Sequence, residues 1–465
     1  MKNILPNVKK LLTWPWWLTF LLVFTFFFLI SIKSLDPDLG WHIKSGEYSM
    51  QNGIPTTDIF TYSAPDFPWV NNEPFSDIIV AFLFSLGGHT LLAAIFALIW
   101  TASLLLLSKK SKIPGPLILL AAIACSPYAG VRFVTFSMIF LASLITLTTS
   151  KKGKYFIPPL MFLWVNLHGS FIIGLAYLAY IAFYNFTFSK KRDYRALRTA
   201  IIIIGLSILA TLINPYGPRI YGEIFHVLSD SSLRWSIQEW GINITFATLA
   251  YLFVFLLALI FTVKKKSLKE FLRPEHCFLL AGLSSQRHWP LFVLASLAIT
   301  ATRFNSFLPD LYKKAHTNRG LRNIILGTLA FIVCFTVYNI YIQFSGSWDR
   351  ETYRPREAIT YLEQHPCQGN LFNEYNDGGY LIQHLPSHKV FIDGRMPSWE
   401  QNGTNYMRTW EKIMSDDSFR HEQFQKYHIS CALIFSTRED MIKDLQSKNW
   451  RIAQKTSTHT LLLGP

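Results

Sequence analysis

WPWWLTFLLVFTFFFLISI, residues 14–32, is an apolar stretch with basic residues on both sides, at Lys10 and Lys33. A helix needs about 20 consecutive apolar residues to cross the hydrocarbon core of a bilayer. A cleaved signal peptide is the alternative, but its apolar core would be shorter, and a small-residue cleavage site is missing. The stretch is therefore predicted to be an uncleaved first membrane span.

The composition extends this conclusion to most of the chain. Of the 465 residues, 51% are hydrophobic and only 16% are charged, whereas a typical soluble domain carries about 25% charged residues. This balance excludes a soluble or disordered protein. Apolar runs recur as far as Phe344 and then cease. About eleven crossings are predicted, at roughly 14–32, 90–107, 114–129, 132–149, 155–166, 170–187, 199–213, 246–263, 276–286, 289–303 and 323–344.

The net charge of +15 would suit a nucleic-acid binder, but the basic residues are not spread along the chain. They gather in alternate connections between the predicted spans, within residues 2–10, 109–112, 151–154, 190–198, 264–273 and 303–322. The positive-inside rule places such connections in the cytoplasm. The amino terminus is therefore expected inside the cytoplasmic membrane and residues 345–465 outside it, with no nucleic-acid partner.

The predicted outer loop, residues 33–76, carries the motif Asp36-Pro37-Asp38-Leu39-Gly40-Trp41-His42 and ends at an amphipathic stretch, residues 75–86. Loops of this length are usually functional or disordered, and this one is rich in aromatic residues. Paired carboxylates can take a proton from a hydroxyl or hold a divalent cation such as Mg or Mn. A helix cap plus a turn acid is the alternative. Asp36 and Asp38 are candidate catalytic residues and metal ligands, and His42 is a candidate substrate ligand.

Polar side chains also fall at the outer ends of later predicted spans. They are Arg132, Asn166, His168, Glu239, Arg287 and His288. Ionisable groups at membrane depth are costly and suggest function, and arginine and histidine suit a phosphate. Structural alternatives are snorkelling of the arginines to lipid headgroups, helix packing for His168 and an interfacial anchor for Glu239. Because all six lie on the face away from the basic loops, they are predicted to line a substrate site.

Residues 345–465 have the size of a domain, and their pattern suggests a small α/β layer. Helices are predicted at 355–364, 405–414 and 438–448, and strands at 370–372, 389–392, 431–435 and 460–463. Asp393-Gly394-Arg395 follows one strand and is interpreted either as a binding loop or as a structural ion pair. Cys367 and Cys431 could pair in an oxidising compartment, but two free thiols are favoured.

The motif Asp36-x-Asp38-x-x-Trp41-His42 resembles the first outer loop of bacterial polytopic proteins assigned to the C-type glycosyltransferase superfamily. The similarity extends over most of the chain, to Trp164-x-Asn166-Leu167-His168-Gly169, Asn214-Pro215-x-Gly217, Glu239-Trp240, Gly378-Gly379-Tyr380-Leu381 and Val390-Phe391-Ile392-Asp393-Gly394-Arg395. The resemblance implies a polyprenyl-phosphate-linked sugar donor and a loop acid as general base, without saying which aspartate acts. The spacing differs from the adjacent Asp-Glu pair of the protein-mannosyltransferase and aminoarabinose-transferase branches, so their donor does not carry over.

Together these observations predict an α-helical polytopic membrane glycosyltransferase, residues 1–344, with a small C-terminal α/β extracytoplasmic domain, residues 345–465. It would move a sugar to a glycan, lipid or protein acceptor at the outer face of the cytoplasmic membrane. The expected roles are Asp36 or Asp38 as base, Arg132, Arg287, His168 and His288 for the donor phosphate, and Asn166 and Glu239 for the sugar or acceptor. The alternatives are a transporter or flippase of lipid-linked sugars, although no inverted repeat is found, and a non-catalytic envelope assembly protein.

Overall fold

The structure is a computed structural model that describes residues 15–33, 36–111, 113–189, 192–231, 233, 237–262, 268–320, 322–323, 327, 334, 338 and 354–465. The predicted span at 323–344 lies almost entirely outside the described residues. The described helices of four or more residues are α1 Trp16–Lys33, α2 Leu39–Asn52, α3 Pro74–Ser111, α4 Gly115–Cys125, α5 Val134–Thr148, α6 Ile157–Leu167, α7 Phe171–Phe188, α8 Tyr194–Thr211, α9 Arg219–Ser229, α10 Phe246–Thr262, α11 Leu268–Phe271, α12 Pro274–Ser284, α13 Trp289–Thr317, α14 Arg356–Gln364, α15 Gly378–His384, α16 Tyr406–Ser415, α17 Asp417–Lys426 and α18 Glu439–Ser447.

The described apolar helices agree closely with the predicted spans. Among the residues that the structure describes, four helical segments are long and apolar enough to cross a membrane: α1, residues Pro74–Ser108 of α3, α7 and α8. Shorter apolar helices occur at Gly115–Tyr128, Val134–Thr148 and Phe246–Ile260. The helical membrane-type fold is thus supported, while the total of eleven crossings stays a prediction.

Local sequence explains where several of these helices begin and end. The N-cap Asp193 of α8 accepts a hydrogen bond from the Ala196 amide over 2.9 Å, which satisfies one of the unpaired amides of the first turn. Helix α6 has Pro158 and Pro159 in its first turn, where the missing proline N–H leaves no bond unmade. It ends at His168, whose backbone is extended.

The chain divides into two compact units. The helical unit takes the described residues of Met1–Ser34, Ala93–Asn214 and Arg234–Trp348. The sheet unit takes those of Leu35–Leu92, Pro215–Leu233 and Asp349–Pro465. The acidic motif and the carboxy-terminal residues therefore belong to the same unit, although they stand at opposite ends of the chain. The predicted domain division between residues 344 and 345 remains a prediction.

The helical unit is built from helices that pack through large aromatic side chains. Helix α6 packs against α8, and α13 packs against both α10 and α12. Trp100, Trp164 and Trp289 are fully buried, and the Trp164 indole nitrogen donates to Ser137 Oγ over 3.0 Å. Burial of such side chains contributes most of the packing energy of a helical assembly.

The sheet unit contains a four-stranded sheet of order β1-β4-β6-β5. The strands are β1 Asn370–Asn373, β4 Ile429–Phe435, β5 Arg451–Lys455 and β6 His459–Leu463, and a separate two-stranded hairpin is formed by β2 Glu400–Gln401 and β3 Thr404–Asn405. β1 pairs with β4 in parallel, while β6 is antiparallel to both β4 and β5. The central strand β4 carries buried apolar residues on both faces, as expected of a strand covered by helices.

Two expectations for the carboxy-terminal region were wrong. The predicted strand at 389–392 is present only as an isolated bridge, in which Val390 pairs with Thr61, because its partner is a short segment of the loop after α2 rather than a sheet strand. Cys367 and Cys431 form a disulfide with their Cα atoms 5.9 Å apart, whereas free thiols were favoured. Pairing of β1 with β4 brings these cysteines together, and their separation of 64 residues gives no local sign of it.

Candidate functional site

The acidic motif forms the amino end of helix α2, within the predicted outer loop. Asp36 Oδ1 accepts a hydrogen bond from the Asp38 amide over 3.0 Å, the geometry of an aspartate that closes a turn. Asp38 is the N-cap residue of α2 but makes no side-chain capping hydrogen bond. The turn-acid alternative therefore applies to Asp36. The Asp38 carboxylate is not used to cap the helix.

The Asp38 carboxylate lies against the backbone of Gly394. A Cβ atom built at residue 394 would be 1.8 Å from Asp38 Oδ1, and one built at Gly379 would be 2.3 Å from the Pro37 carbonyl oxygen. Real Cβ atoms do not approach other atoms so closely. A side chain at residue 379 would therefore clash with the backbone of Pro37, and one at residue 394 would require the Asp38 carboxylate to shift. Both glycines come from the carboxy-terminal region, which therefore shapes the surroundings of the acidic motif.

The environment of Asp38 disfavours its charged form. Burial raises the pKa of Asp38 to about 7, and the negative charge of Asp36 adds to the rise. The imidazole of His42 and the Trp41 indole act in the opposite direction. A carboxyl group with a pKa near neutrality can accept a proton and release it again at physiological pH.

His42 is held one turn beyond Asp38 by two further acids. Its Nδ1 lies 2.6 Å from Asp77 Oδ1, and its Nε2 lies 3.6 Å from Glu73 Oε2. The second oxygen of Asp77 accepts a hydrogen bond from Asn71 Nδ2 over 2.7 Å. The close approach requires glycine at position 46, where a Cβ atom would be 2.1 Å from the Asp77 carbonyl oxygen. The sequence of α2 thus allows α3 to bring Asp77 to the imidazole.

His42 and Glu73 influence the pKa values of each other. Burial alone would lower the pKa of His42, but the nearby carboxyl groups of Asp77, Glu73 and Asp38 together outweigh burial and raise the pKa above its usual value. Burial raises the pKa of Glu73 to about 8, although the charge of His42 opposes the rise. The charge state of each of these two groups therefore shifts the pKa of the other.

Arg395 joins the carboxy-terminal region to the loop after α2. Its Nη1 lies 2.8 Å from Asp58 Oδ1, and its Nη2 lies 2.6 Å from Asp393 Oδ2. Four aromatic rings surround the guanidinium, with centroids 4.6 to 5.9 Å away, at Trp41, Phe60, Trp69 and Trp399. The structural ion pair, one of the two interpretations of Asp393-Gly394-Arg395, is what the structure contains.

Several residues of this cluster were missed by sequence reasoning. Asp77, Glu73 and Asp58 were not among the predicted site residues. Asp77 is the only charged residue in residues 74–86, and a lone carboxylate within an apolar stretch is a signal that could have identified it. The pairing of Arg395 with Asp58 had no such signal, because these two residues lie far apart in the sequence.

In the helical unit, the predicted residues Arg132, Glu239 and Arg287 lie in one region. Arg132 forms an ion pair with Glu239, and the Arg287 guanidinium lies 4.5 Å from the centroid of the Trp240 ring. Ser285 Oγ donates to the Glu239 carbonyl over 3.1 Å. Two short turns, Gln238–Trp240 and Gln286–His288, therefore meet and place two arginines, a carboxylate and an indole together.

The other three predicted residues of the helical unit occupy helix ends. His288 Nδ1 lies 3.2 Å from the Ala281 carbonyl. His168 Nδ1 lies 2.9 Å from both Ser137 Oγ and Ser170 Oγ, which is the packing role weighed as its alternative. Asn166 donates to the carbonyls of Phe162 and Ile213, over 2.8 and 2.9 Å. Their assignment to substrate stays a prediction.

The donor set for a divalent cation was tested among the described residues. Within this part of the chain, no group of three or more His, Cys, Asp or Glu side chains is arranged to hold a metal ion. Asp36 uses one carboxylate oxygen to close its turn. The described residues therefore do not form a complete metal site.

Solved structures of an oligosaccharyltransferase and of ArnT are similar to this chain. The oligosaccharyltransferase AglB from Archaeoglobus fulgidus, in complex with an inhibitory peptide and a dolichol-phosphate, matches with a TM-score of 0.58 and 12% identity, over 90% of this chain and 70% of that one. Its complex with Zn and sulfate matches with a TM-score of 0.58 and 11% identity, over 90% and 68%. ArnT from Cupriavidus metallidurans, bound to undecaprenyl phosphate, matches with a TM-score of 0.53 and 10% identity, over 97% and 99%.

No protein-family profile matches the chain, and no curated protein sequence matches it. At 10 to 12% identity, the structural likeness speaks for the fold. The chain therefore shares the helical fold of AglB and ArnT, with a small sheet region toward its carboxy terminus.

Proposed function

We propose that this chain is a C-type glycosyltransferase that moves a sugar from a polyprenyl-phosphate-linked donor to an acceptor at the outer face of the cytoplasmic membrane. The observation that carries the proposal is the Asp38 carboxyl group. It lies against the backbone of Gly394, and its pKa is raised to about 7. General-base catalysis is most effective when the pKa of the base lies near the working pH. Binding of dolichol-phosphate and undecaprenyl phosphate by the structural neighbours supports a lipid-phosphate partner.

In the proposed reaction, Asp38 takes the proton from a hydroxyl group of the acceptor. The acceptor oxygen then forms a bond to the anomeric carbon of the sugar, and the bond from that carbon to the phosphate oxygen breaks. The polyprenyl phosphate leaves with the bonding electrons. Asp36 closes the turn before α2 and contributes negative charge to Asp38, so its proposed role is to position and tune the base.

The leaving phosphate gains negative charge as its bond to the sugar breaks, and cations placed there stabilise that charge. Arg132 and Arg287 are proposed for this role because both lie at the junction of the two short turns in the helical unit. His168 and His288 are proposed as further phosphate ligands. Asn166 and Glu239 are proposed to bind the sugar or the acceptor, with His42 as a ligand on the side of the acidic motif.

A divalent cation, Mg or Mn, at Asp36 and Asp38 remains an open proposal. AglB has been crystallised with Zn and sulfate. Its test is transfer activity after treatment with a chelator, followed by addition of each metal. A loss of activity that Mg or Mn restores would support the cation, and full activity in the chelator would rule it out.

The proposed location places the amino terminus in the cytoplasm and residues 345–465 outside. The disulfide between Cys367 and Cys431 supports this placement, because disulfides persist in oxidising compartments. The clusters of basic residues in alternate connections support the same orientation. The placement would be overturned if a cysteine-reactive or protease probe reached the carboxy terminus only after the cytoplasmic membrane had been permeabilised.

The proposal is tested with purified protein and a panel of polyprenyl-phosphate sugars carrying a radiolabel in the sugar. Transfer is measured as label that leaves the lipid fraction and enters the acceptor. The expected result is bond cleavage with at least one donor. Movement of intact labelled lipid across reconstituted vesicles, without cleavage of any donor, would instead support the flippase alternative.

A further inference from the structure

A cavity lies in the helical unit where α7 ends and α8 begins. Its volume is about 430 Å³, within the range of pockets that hold small ligands, about 300–1,000 Å³. Its wall is formed by the last two turns of α7, the first two turns of α8 and the short helix α11. The acidic motif belongs to the other unit, and none of the residues that line this cavity takes part in the proposed transfer.

Two tyrosines of α7 hold the α11 side of the cavity in place. The Tyr184 hydroxyl donates to the Lys269 carbonyl oxygen, and the Tyr180 hydroxyl donates to the Leu272 carbonyl oxygen, each over 3.0 Å. The two tyrosines are four residues apart, so they lie on the same face of α7. The backbone at Lys269 is therefore fixed to α7, and Lys269 is the basic residue of the cavity wall.

Asp193 is the acidic residue of the cavity wall. It is the N-cap of α8, and its Oδ1 accepts a hydrogen bond from the Ala196 amide over 2.9 Å. Aromatic contacts hold the turn before α8, because the Arg192 guanidinium lies 5.9 Å from the centroid of the Phe186 ring. The Phe186 and Tyr194 rings are 5.4 Å apart. The place of the Asp193 carboxylate is therefore set by the cap and by the packing of the turn.

Lys269 and Asp193 line one cavity without pairing with each other. Among the residues that the structure describes, neither side chain forms an ion pair with any other group. Asn185 and Ser189 add an amide and a hydroxyl to the same wall. A ligand that carries a phosphate and an amine would contact both charges at once, so the wall is complementary to a zwitterion.

The surroundings of the cavity are those of the edge of a bilayer. Helices α7 and α8 are each long and apolar enough to span a membrane, and each has one end at the cavity. Phe183, Tyr194 and Phe271 lie on the elements that form the wall, and each is more than half exposed. Exposed apolar side chains of this kind are typical of contact with lipid or protein. The basic connections 190–198 and 264–273 meet here, on the side predicted to be cytoplasmic.

We propose that this cavity binds the headgroup of a phospholipid that carries both a phosphate and an amine, such as phosphatidylethanolamine. Lys269 pairs with the phosphate, and the Asp193 carboxylate accepts from the ammonium group. Phe188 and Leu197, which also line the cavity, contact the glycerol and the first carbons of the acyl chains. Basic pockets between spans on the cytoplasmic side bind lipid headgroups, and the carboxylate in this wall favours the zwitterion over an anionic lipid. The lipid site does not depend on the proposed transfer reaction, so either can fail without the other.

The test measures the binding of single lipids to the delipidated full-length protein in detergent by native mass spectrometry. Phosphatidylethanolamine and phosphatidylglycerol with the same acyl chains are compared, so that the two lipids differ only in their headgroups. Lys269→Gln removes the cation. Asp193→Asn removes the negative charge, and asparagine caps a helix about as well as aspartate does. Arg198→Gln, at an exposed position of α8 outside the cavity wall, is the matched control.

The wild type is expected to bind phosphatidylethanolamine more tightly than phosphatidylglycerol. Lys269→Gln and Asp193→Asn should each weaken binding of phosphatidylethanolamine about two- to fivefold, the range of an exposed ion pair, with no change in Arg198→Gln. Asp193→Asn should bind phosphatidylglycerol as well as the wild type does or better, because a negative charge has been removed. Tighter binding of phosphatidylglycerol by the wild type would overturn the proposal, as would an unchanged affinity of Asp193→Asn for phosphatidylethanolamine.

A competition arm separates a lipid from a soluble ligand with the same headgroup chemistry. Glycerophosphoethanolamine, which has the phosphate and the amine but no acyl chains, is added at the concentration of the bound lipid. It is expected to leave phosphatidylethanolamine in place. Displacement as effective as that by the lipid itself would show that the cavity takes a soluble zwitterion, and the lipid assignment would then be wrong.

Discussion

Asp38 Oδ1 lies where a side chain on residue 394 would stand, 1.8 Å from the Cβ position of Gly394. The two residues come from opposite ends of the chain and belong to the same compact unit. The backbone of the carboxy-terminal region therefore sets the position of Asp38, the acid proposed as the base.

Replacing Gly394 by alanine is expected to displace the Asp38 carboxylate. A displacement of about 1 Å at a reacting group can lower the rate about 10²-fold, so kcat for sugar transfer should fall by about that factor with little change in KM for the donor. Steady-state kinetics on the purified variant measures both. The control is Gly222→Ala, in the same unit, where an added Cβ has nothing within 4 Å. Equal kcat for both variants would refute the positioning role of Gly394.

The pH dependence of transfer should report the protonation of Asp38. Its pKa is raised from 3.8 to about 7, and only the deprotonated carboxylate can act as base. The rate is therefore expected to rise with pH up to about 7 and then level off, with a fall of about tenfold per unit below that value. A profile of kcat/KM from pH 5 to 9 measures it. A flat acidic limb down to pH 5 would exclude Asp38 as the base.

The Asp36→Asn variant separates the two aspartates. The negative charge of Asp36 raises the pKa of Asp38, so removing that charge should move the acidic limb to lower pH while activity remains. If Asp36 were the base, the same variant would lose about 10²- to 10⁴-fold in rate, without a surviving shifted limb. The pH–rate profile of this single variant therefore distinguishes the roles that the sequence left open.

Arg395→Lys is expected to destabilise the protein although it keeps the positive charge. A lysine ammonium cannot contact Asp58 and Asp393 together as the two guanidinium nitrogens do. It also lacks the flat guanidinium that lies among the four aromatic rings. Breaking a buried pair costs about 3–5 kcal/mol, so the apparent Tm in detergent should fall by several degrees. Arg408→Lys, at an exposed position, is the control. A Tm equal to that of the control would show that the contacts of the Arg395 guanidinium contribute little to the stability of the protein.

Asp77→Ala should destabilise the sheet unit, because it removes the partner of both His42 and Asn71. Loss of these buried contacts is expected to cost about 3 kcal/mol, or about 6 to 12 °C in apparent Tm for a unit of this size. The exposed Asp440 provides the control variant, Asp440→Ala, with an expected change of less than about 1 kcal/mol. Thermal unfolding followed by tryptophan fluorescence measures both. An unchanged Tm for Asp77→Ala would contradict the assigned cluster.

Features with a local signal were predictable from the sequence. A run of about 20 apolar residues has few solutions other than a membrane helix, so α1, α7 and α8 were located to within a few residues. Strands β4 and β6 are short buried runs bounded by polar residues, and they were predicted for the same reason. The short β5 was missed because most of its residues are polar or exposed.

Features that depend on distant pairing were not predictable. The run Lys389–Ile392 has the composition of a strand, but its only bridge is to Thr61, in the loop after α2. Nothing near Asp38 indicates that Gly394 will contact it, and nothing near Asp58 indicates Arg395. The sequence identified Asp36, Asp38 and His42 as one motif, yet the two acids that contact His42, Asp77 and Glu73, required the structure.

The most direct test of the central claim is transfer of labelled sugar from a polyprenyl-phosphate donor by the purified protein, compared with its Asp36→Asn, Asp38→Asn double variant. Asp66→Asn, at an exposed position of the same loop, controls for loss of an acid as such. Transfer by the wild type and by Asp66→Asn is expected, with the double variant slower by about 10²- to 10⁴-fold. Undiminished transfer by the double variant would contradict the carboxylate role on which the account depends.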